Sequence, residues 1–153
     1  MKKKICFTAS SGGHFEQLMM LKPLMIESES FIITEKTAYD VSTSDIKTIY
    51  LAQVNRKELT FIFKFFMNAI KTVFILLKEQ PDVVISTGAL MTIPVCLIAK
   101  LFGKKVVFIE SFAKIKSPTL TGKLMYRFAD QFYVQWEEMK KVYPNAIYKG
   151  GIY

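Results

Sequence analysis

The sequence predicts an α/β fold: one Rossmann-like domain over residues 1–153, with an open, mostly parallel sheet and helices on both faces. Two observations carry the prediction. Short β-branched or apolar runs alternate with longer runs of helical period along the whole chain. Three of the short runs end in small or polar residues: "ASSGGH" (9–14), "STGAL" (86–90) and "ESFAK" (110–114). Parallel sheets bind ligands at such carboxyl ends of their strands. No internal repeat, low-complexity tract or linker interrupts the pattern.

The first strand is the apolar run 5–9, closed by the serines and glycines of 10–13. A helix over 14–26 follows, with Leu18, Leu21 and Met25 at helical spacing and Pro23 expected to kink or shorten it. Strands are predicted at 31–34 and 47–51, then a long helix over about 58–78 and a β-branched strand at 82–86. A helix over about 91–102 leads to a strand at 106–110. Ser117 and Pro118 read as the cap and first turn of a helix over 119–128. A strand at 131–135, a short helix and the tail "NAIYKGGIY" (145–153) finish the chain.

Hydrophobic residues make up 51% of the chain, enough for a core, since a domain of this size buries roughly two-thirds of its unfolded surface. The net charge is +8. It suits an anionic partner (phosphate, nucleic acid or acidic lipid) or a solvated lysine face. Cys6 and Cys96 sit in apolar runs without a CxxC or Cys/His neighbourhood. They are expected to be buried thiols, with neither a disulfide nor a metal site. "MKKKICF" has the basic start of a signal peptide, but Ser10 interrupts the apolar run too early. A cytoplasmic location is expected.

Gly12 and Gly13 permit the backbone angles of a strand-to-helix turn and let N–H groups approach a ligand closely. The start of the following helix suits an anion such as a pyrophosphate. His14, the single histidine, would stand at that end and could accept a proton from a hydroxyl. The same residues also fit a plain βα turn with a surface histidine. No GxGxxG or P-loop pattern is present, which argues against a nicotinamide enzyme and a P-loop nucleotidase.

In "RKELTFIFKFFMNAIKTVFILLKEQ" (56–80), Lys57, Lys64, Lys71 and Lys78 recur every seven residues. At about 100° per residue they share one helix edge. Phenylalanines and aliphatics, Phe61, Phe65 and Phe74 among them, wrap most of the remaining circumference. Lys64 and Lys71 interrupt the run, so a membrane span is not expected. A basic amphipathic helix lying in the headgroup layer fits, as does a core helix with a solvated lysine stripe.

Four segments, "SSGGH" (10–14), "PDVVISTGALMTIP" (81–94), "FIESFAKIKSPTLTGKLMYRFAD" (108–130) and "FYVQWEEMKKVYP" (132–144), cover most of the chain. On them the sequence resembles the Alg-fourteen-like oligosaccharide biosynthesis proteins, including PssD-type bacterial capsule and exopolysaccharide proteins. These are similar in turn to the N-terminal, acceptor-side half of MurG-like GT-B glycosyltransferases.

The resemblance implies a membrane-associated acceptor-binding subunit of a two-component glycosyltransferase, inactive alone. A separate small subunit would bind the nucleotide sugar, a UDP-sugar. Together they would add a sugar to a polyprenyl-diphosphate-linked saccharide at the cytoplasmic face of an anionic membrane. No cofactor and no metal are expected in this chain.

Under the resemblance, Ser10, Ser11, Gly12 and Gly13 would cradle the acceptor's diphosphate or first sugar, and Thr87, Gly88 and Ser111 would wall the acceptor site. His14 would be the base or a hydrogen-bonding positioner, and Glu110 the alternative base. Lys114, Lys116 and Lys123 are further candidates to neutralise phosphate. Tyr148, Gly150, Gly151, Ile152 and Tyr153 in the tail would dock the partner.

Two other functions compete. A stand-alone nucleotide-binding module would need a ribose-binding acid about twenty residues after the turn, a place Glu35 occupies. A nucleic-acid-binding protein would suit the charge, but no RNP, KH or helix-turn-helix signature is present, and no nucleic-acid partner is expected.

Overall fold

The computed structural model describes residues 2–37, 43, 45–55 and 57–153. In chain order the elements are β1 (Lys4–Ala9), α1 (Gly13–Met19), α2 (Lys22–Glu27), β2 (Glu29–Glu35), β3 (Lys47–Leu51) and α3 (Phe61–Glu79). They continue as β4 (Val83–Gly88), α4 (Thr92–Leu101), β5 (Lys105–Ile109), α5 (Leu120–Met125), β6 (Gln131–Val134) and β7 (Ile147–Tyr148). A 3-10 turn, Glu137–Lys141, lies between the last two strands.

The strands form one sheet in the order β3-β2-β1-β4-β5-β6-β7, and every pairing is parallel. Cys6 lies between Phe31 and Val84, and Phe7 between Ile32 and Ile85. The period of two then sorts side chains between two layers. Cys6, Val84, Val106, Phe108 and Phe132 pack with residues of α3, α4 and α5. Ile5, Phe7, Ala9, Ile85 and Ile109 pack with residues of α1 and α2. The chain runs outward from β1 through β2 to β3, then returns to lay β4 on the other side of β1. The order reverses between β1 and β4, so a crevice opens at the carboxyl ends of these two strands.

Each predicted strand is present, with ends within two residues of those expected. β7 was not expected: the first part of the tail joins the sheet. The predicted helix 14–26 is two helices, broken at Met20 and Leu21. Pro23 stands in the first turn of α2, where its missing N–H is harmless, so it starts a second helix and does not kink the first. α5 is capped by Thr119, whose hydroxyl accepts the Gly122 N–H at 2.7 Å, and not by Ser117.

Candidate functional site

Gly12, at φ 80° and ψ −145°, adopts a conformation open essentially only to glycine. Its carbonyl accepts the N–H groups of Phe15 (2.9 Å) and Glu16 (3.1 Å), which starts α1 abruptly after β1. That start points His14 at β4. Its Nδ1 lies 2.9 Å from the carbonyl oxygen of Thr87, and the Thr87 hydroxyl donates to the carbonyl of His14 at 2.7 Å. A carbonyl can only accept, so Nδ1 carries a proton, and in the neutral ring Nε2 is then the nitrogen with the lone pair. This is the tautomer a general base needs.

Gly88 follows at φ 107°, and a Cβ there would stand 3.4 Å from the His14 ring. Ala89 also has a left-handed backbone, φ 80°. The Thr92 N–H and hydroxyl both donate to its carbonyl, at 3.1 and 2.8 Å, and hold it there. Such strain in a non-glycine residue collects at functional loops. Ala89 is not legible as a turn residue in the sequence, because alanine carries no turn signal.

The predicted residues Ser10, Ser11, Gly12, Gly13, Thr87 and Gly88 thus meet His14 at the β1/β4 switch. Gly12 and Gly13 are exposed, and a Cβ on either would meet nothing within 4 Å. Among the described residues, none accepts the N–H of Ser11, Gly12 or Gly13. Thr87 is fully buried and clamps His14, so it does not wall the site as expected. The Ser11 hydroxyl points at Glu35 from 3.5 Å. Glu35 is buried beneath the turn; burial raises its pKa and the Ser11 hydroxyl opposes the rise. α1 has only seven residues, a short dipole for anion binding.

Glu110 requires a correction. It is 1% exposed and its carboxylate faces α5, the opposite layer from α1. Ser111 N–H donates to Oε1 at 2.9 Å, Thr119 N–H to Oε2 at 3.2 Å, the Thr119 hydroxyl to Oε1 at 2.9 Å, and the Tyr143 hydroxyl to Oε2 at 2.9 Å. Burial, then the neighbouring Glu110 carboxylate, push the Tyr143 phenol well above its ordinary pKa. A carboxylate so enclosed cannot reach an acceptor hydroxyl. Glu110 is a structural clamp that anchors α5 and the loop 111–119. Ser111 serves the clamp through its N–H and stays half-exposed.

The long helix is built the other way round from an ordinary peripheral helix. Its buried side carries Asn68, Thr72 and Glu79 beside Ile75 and Leu76. Asn68 exchanges two hydrogen bonds with the backbone of Ala52, at 3.0 and 2.7 Å. Glu79 meets Lys47 at 2.6 Å and Lys4 at 3.1 Å. These lysines hold its carboxyl below the usual range, Lys47 most, although burial opposes them.

The outward side of α3 is apolar: Ile62, Phe63 (69% exposed), Phe66 (67%), Met67, Ile70, Phe74 and Leu77. Of Phe61, Phe65 and Phe74, Phe74 belongs to it; Phe61 and Phe65 are half-buried, with ring centroids 6.0 Å apart. Lys64, Lys71 and Lys78 line one edge of this stripe. Lys64 pairs with Glu58, and Lys71 donates to the Tyr50 carbonyl at 2.7 Å. Lys57 lies just before the helix and is exposed. Among the described residues, no helix is long and apolar enough to cross a membrane.

At the other end of the chain, Tyr148 lies in β7, and 149–152 form one wall of a groove of about 370 Å³. Ile85, Val107, Ile109 and Tyr133 form its floor on the layer of α1 and α2. Tyr153 packs on Phe112, with ring centroids 4.8 Å apart. Lys114, Lys116 and Lys123 lie on the loop and helix that Glu110 anchors.

An all-parallel Rossmann-like sheet with helices on both faces is the architecture of one half of a GT-B-type enzyme. Over 89% of its length the chain superposes on Acinetobacter baumannii MurG with TM-score 0.73 and 16% identity, covering 42% of that chain. The UDP-N-acetylglucosamine 2-epimerase of Rickettsia bellii gives TM-score 0.77 at 11% identity, over 99% of this chain and 46% of that one. The chain thus spans under half the length of these solved structures, and the likeness is one of fold. The mouse UDP-N-acetylglucosamine transferase subunit ALG14 is 26% identical over 97% of this chain and 82% of its own length. Residues 28–152 match the family described as oligosaccharide biosynthesis protein Alg14 like, and the chain belongs to that family.

Proposed function

We propose that this chain is the acceptor-binding subunit of a two-component glycosyltransferase. A separate small subunit binds a UDP-sugar, and the pair adds the sugar to a polyprenyl-diphosphate-linked saccharide at the cytoplasmic face of the membrane. The likeness to PssD-type proteins makes a capsule or exopolysaccharide the proposed product. Neither subunit transfers alone, because the donor site and the acceptor site lie on different chains.

The observation that carries this reading is the clamp on His14 at the β1/β4 switch, with Thr87 on Nδ1 and, among the described residues, no hydrogen-bond partner on Nε2. The acceptor hydroxyl would donate to Nε2 and lose its proton there as its oxygen bonds to the sugar's anomeric carbon, while the bond from that carbon to the diphosphate breaks and UDP leaves with the electron pair. A positioned base contributes about 10²–10⁴ in rate. The free N–H groups of the turn 11–13 would hold the acceptor's phosphate or first sugar. The outward apolar side of α3, edged by lysines, would rest in the headgroup layer and bring the lipid-linked acceptor to the turn. The tail and the groove beside it would seat the partner.

His14→Ala tests the role. In the assembled complex, kcat is expected to fall at least about 100-fold while the fold and partner binding persist. Undiminished transfer by that variant would remove His14 from the chemistry.

A further inference from the structure

The tail and the histidine turn lie at different places on the sheet, yet a chain of buried and part-buried hydrogen bonds runs from the tail to α1, the helix that carries His14. The Ile152 N–H donates to Gln135 Oε1 at 3.1 Å. Gln135 Nε2 donates to the carbonyl of Glu110 at 2.9 Å. Gln17 Nε2 donates to that same carbonyl at 3.3 Å, and Gln17 Oε1 accepts the Phe112 N–H at 2.9 Å. Gln17 is one turn beyond His14 in α1. The two glutamines are 2% and 4% exposed, and each carboxamide is bonded at both its oxygen and its nitrogen. Neither can rotate without breaking one buried and one part-buried bond.

Phe112 is gripped from the same side. Its carbonyl accepts from Trp136 Nε1 at 2.6 Å, and its ring packs on Trp136 and Tyr153 with centroids 4.9 and 4.8 Å away. The tail itself is lightly held: β7 has two residues, Gly150 takes φ 90°, and Lys149 and Gly151 are exposed.

We infer that Gln17 and Gln135 are positioning residues that tie the C-terminal tail to His14, so that a partner seated on the tail sets the acceptor site in place. This rests on the acceptor-subunit reading above. Seating Ile152 fixes Gln135, which fixes the Glu110 carbonyl. That carbonyl and the Phe112 N–H then fix Gln17 and, with it, the first turn of α1. Assembly thereby becomes a condition for an ordered acceptor site as well as for a complete one.

The chain carries its own reporters, since His14 is the single histidine and Trp136 the single tryptophan. The experiment follows the His14 Cε1–H resonance and Phe112 amide exchange in the full chain and in a chain ending at Lys149. Each is also made with Gln17→Met, and Trp136 emission and far-UV circular dichroism confirm the fold. In the wild-type background truncation should shift the His14 resonance and speed Phe112 exchange about tenfold, the loss of roughly one buried bond. With Gln17→Met, truncation should leave His14 unmoved. An unmoved His14 and Phe112 after truncation of the wild type, or an equal His14 shift in both backgrounds, would overturn the inference. Should Gln17→Met not fold, the wild-type truncation alone decides.

In the reconstituted complex, Gln17→Met should raise the acceptor KM about tenfold without weakening partner binding. Coupling seen by resonance and exchange, but no transfer by any complex, would sink the acceptor-subunit reading and leave the coupling. Transfer with no coupling would sink the coupling alone.

Discussion

Replacing Phe63 and Phe66 together by serine should detach the protein from membranes without disturbing its fold. The two rings are 69% and 67% exposed on the outward side of α3. A phenylalanine carries about 150–250 Å² of surface, so each ring offers about 130 Å² to its surroundings. If half of that enters the acyl boundary, at about 25 cal/mol per Å² each ring contributes about 1.6 kcal/mol and the pair about 3 kcal/mol. The partition coefficient onto vesicles should then fall about 200-fold. Sedimentation with vesicles containing anionic lipid measures it directly. Because neither ring is buried in the protein, stability should change by less than about 0.5 kcal/mol and Tm by less than about 2 °C. Vesicle binding retained within about threefold would show that these rings do not enter the membrane, and a large loss of Tm would show that they support the fold.

Gly122→Ala should be severe. The new Cβ would stand 1.9 Å from Glu110 Oε2 and 2.8 Å from Thr119 Oγ1, so a loss of about 3 kcal/mol and a fall in Tm of about 10 °C are expected in a thermal melt. An unchanged Tm would contradict the buried Glu110 clamp. Gly88→Ala forces a side chain into φ 107° against the His14 ring; a cost of about 1–2 kcal/mol and a displaced His14 resonance are expected.

Glu79 is held below its ordinary value of 4.5 by Lys47 and Lys4. A depressed carboxyl contributes stability that is present above the unfolded value and lost as pH falls through the folded one. Glu79→Gln should therefore lower Tm at neutral pH, with a gap to wild type that closes below pH 4.5. A gap that widened toward acid would reverse the assignment.

The strands were legible because their apolar runs are short, and three of them run into small or polar residues at 9–14, 86–90 and 110–114. The turn at 10–13 was legible because Gly12 needs a backbone angle that other residues avoid. The helix break at Met20 was not, because Leu18, Leu21 and Met25 keep one apolar period across it. Glu110 illustrates a deeper limit. A carboxylate at a strand end reads as chemistry until its partners are known, and these are Thr119 and Tyr143, supplied by the fold.

In α3 both sides carry apolar residues, so periodicity could not say which one faces out. The choice is made by Asn68 on Ala52 and by Glu79 on Lys4 and Lys47, contacts that span 16 to 75 residues. The tail's link to Gln17 joins residues more than a hundred positions apart and leaves no local signature.

If this chain works as one half of a transferase on the membrane, its other half should travel with it. The most direct measurement is to purify the tagged protein from membranes of its own host and identify by mass spectrometry what stays with it in detergent. A small Rossmann-like protein in constant ratio is expected, with sugar transfer to a polyprenyl-diphosphate acceptor by the pair and by neither chain alone. A chain recovered soluble, monomeric and without such a companion would contradict it.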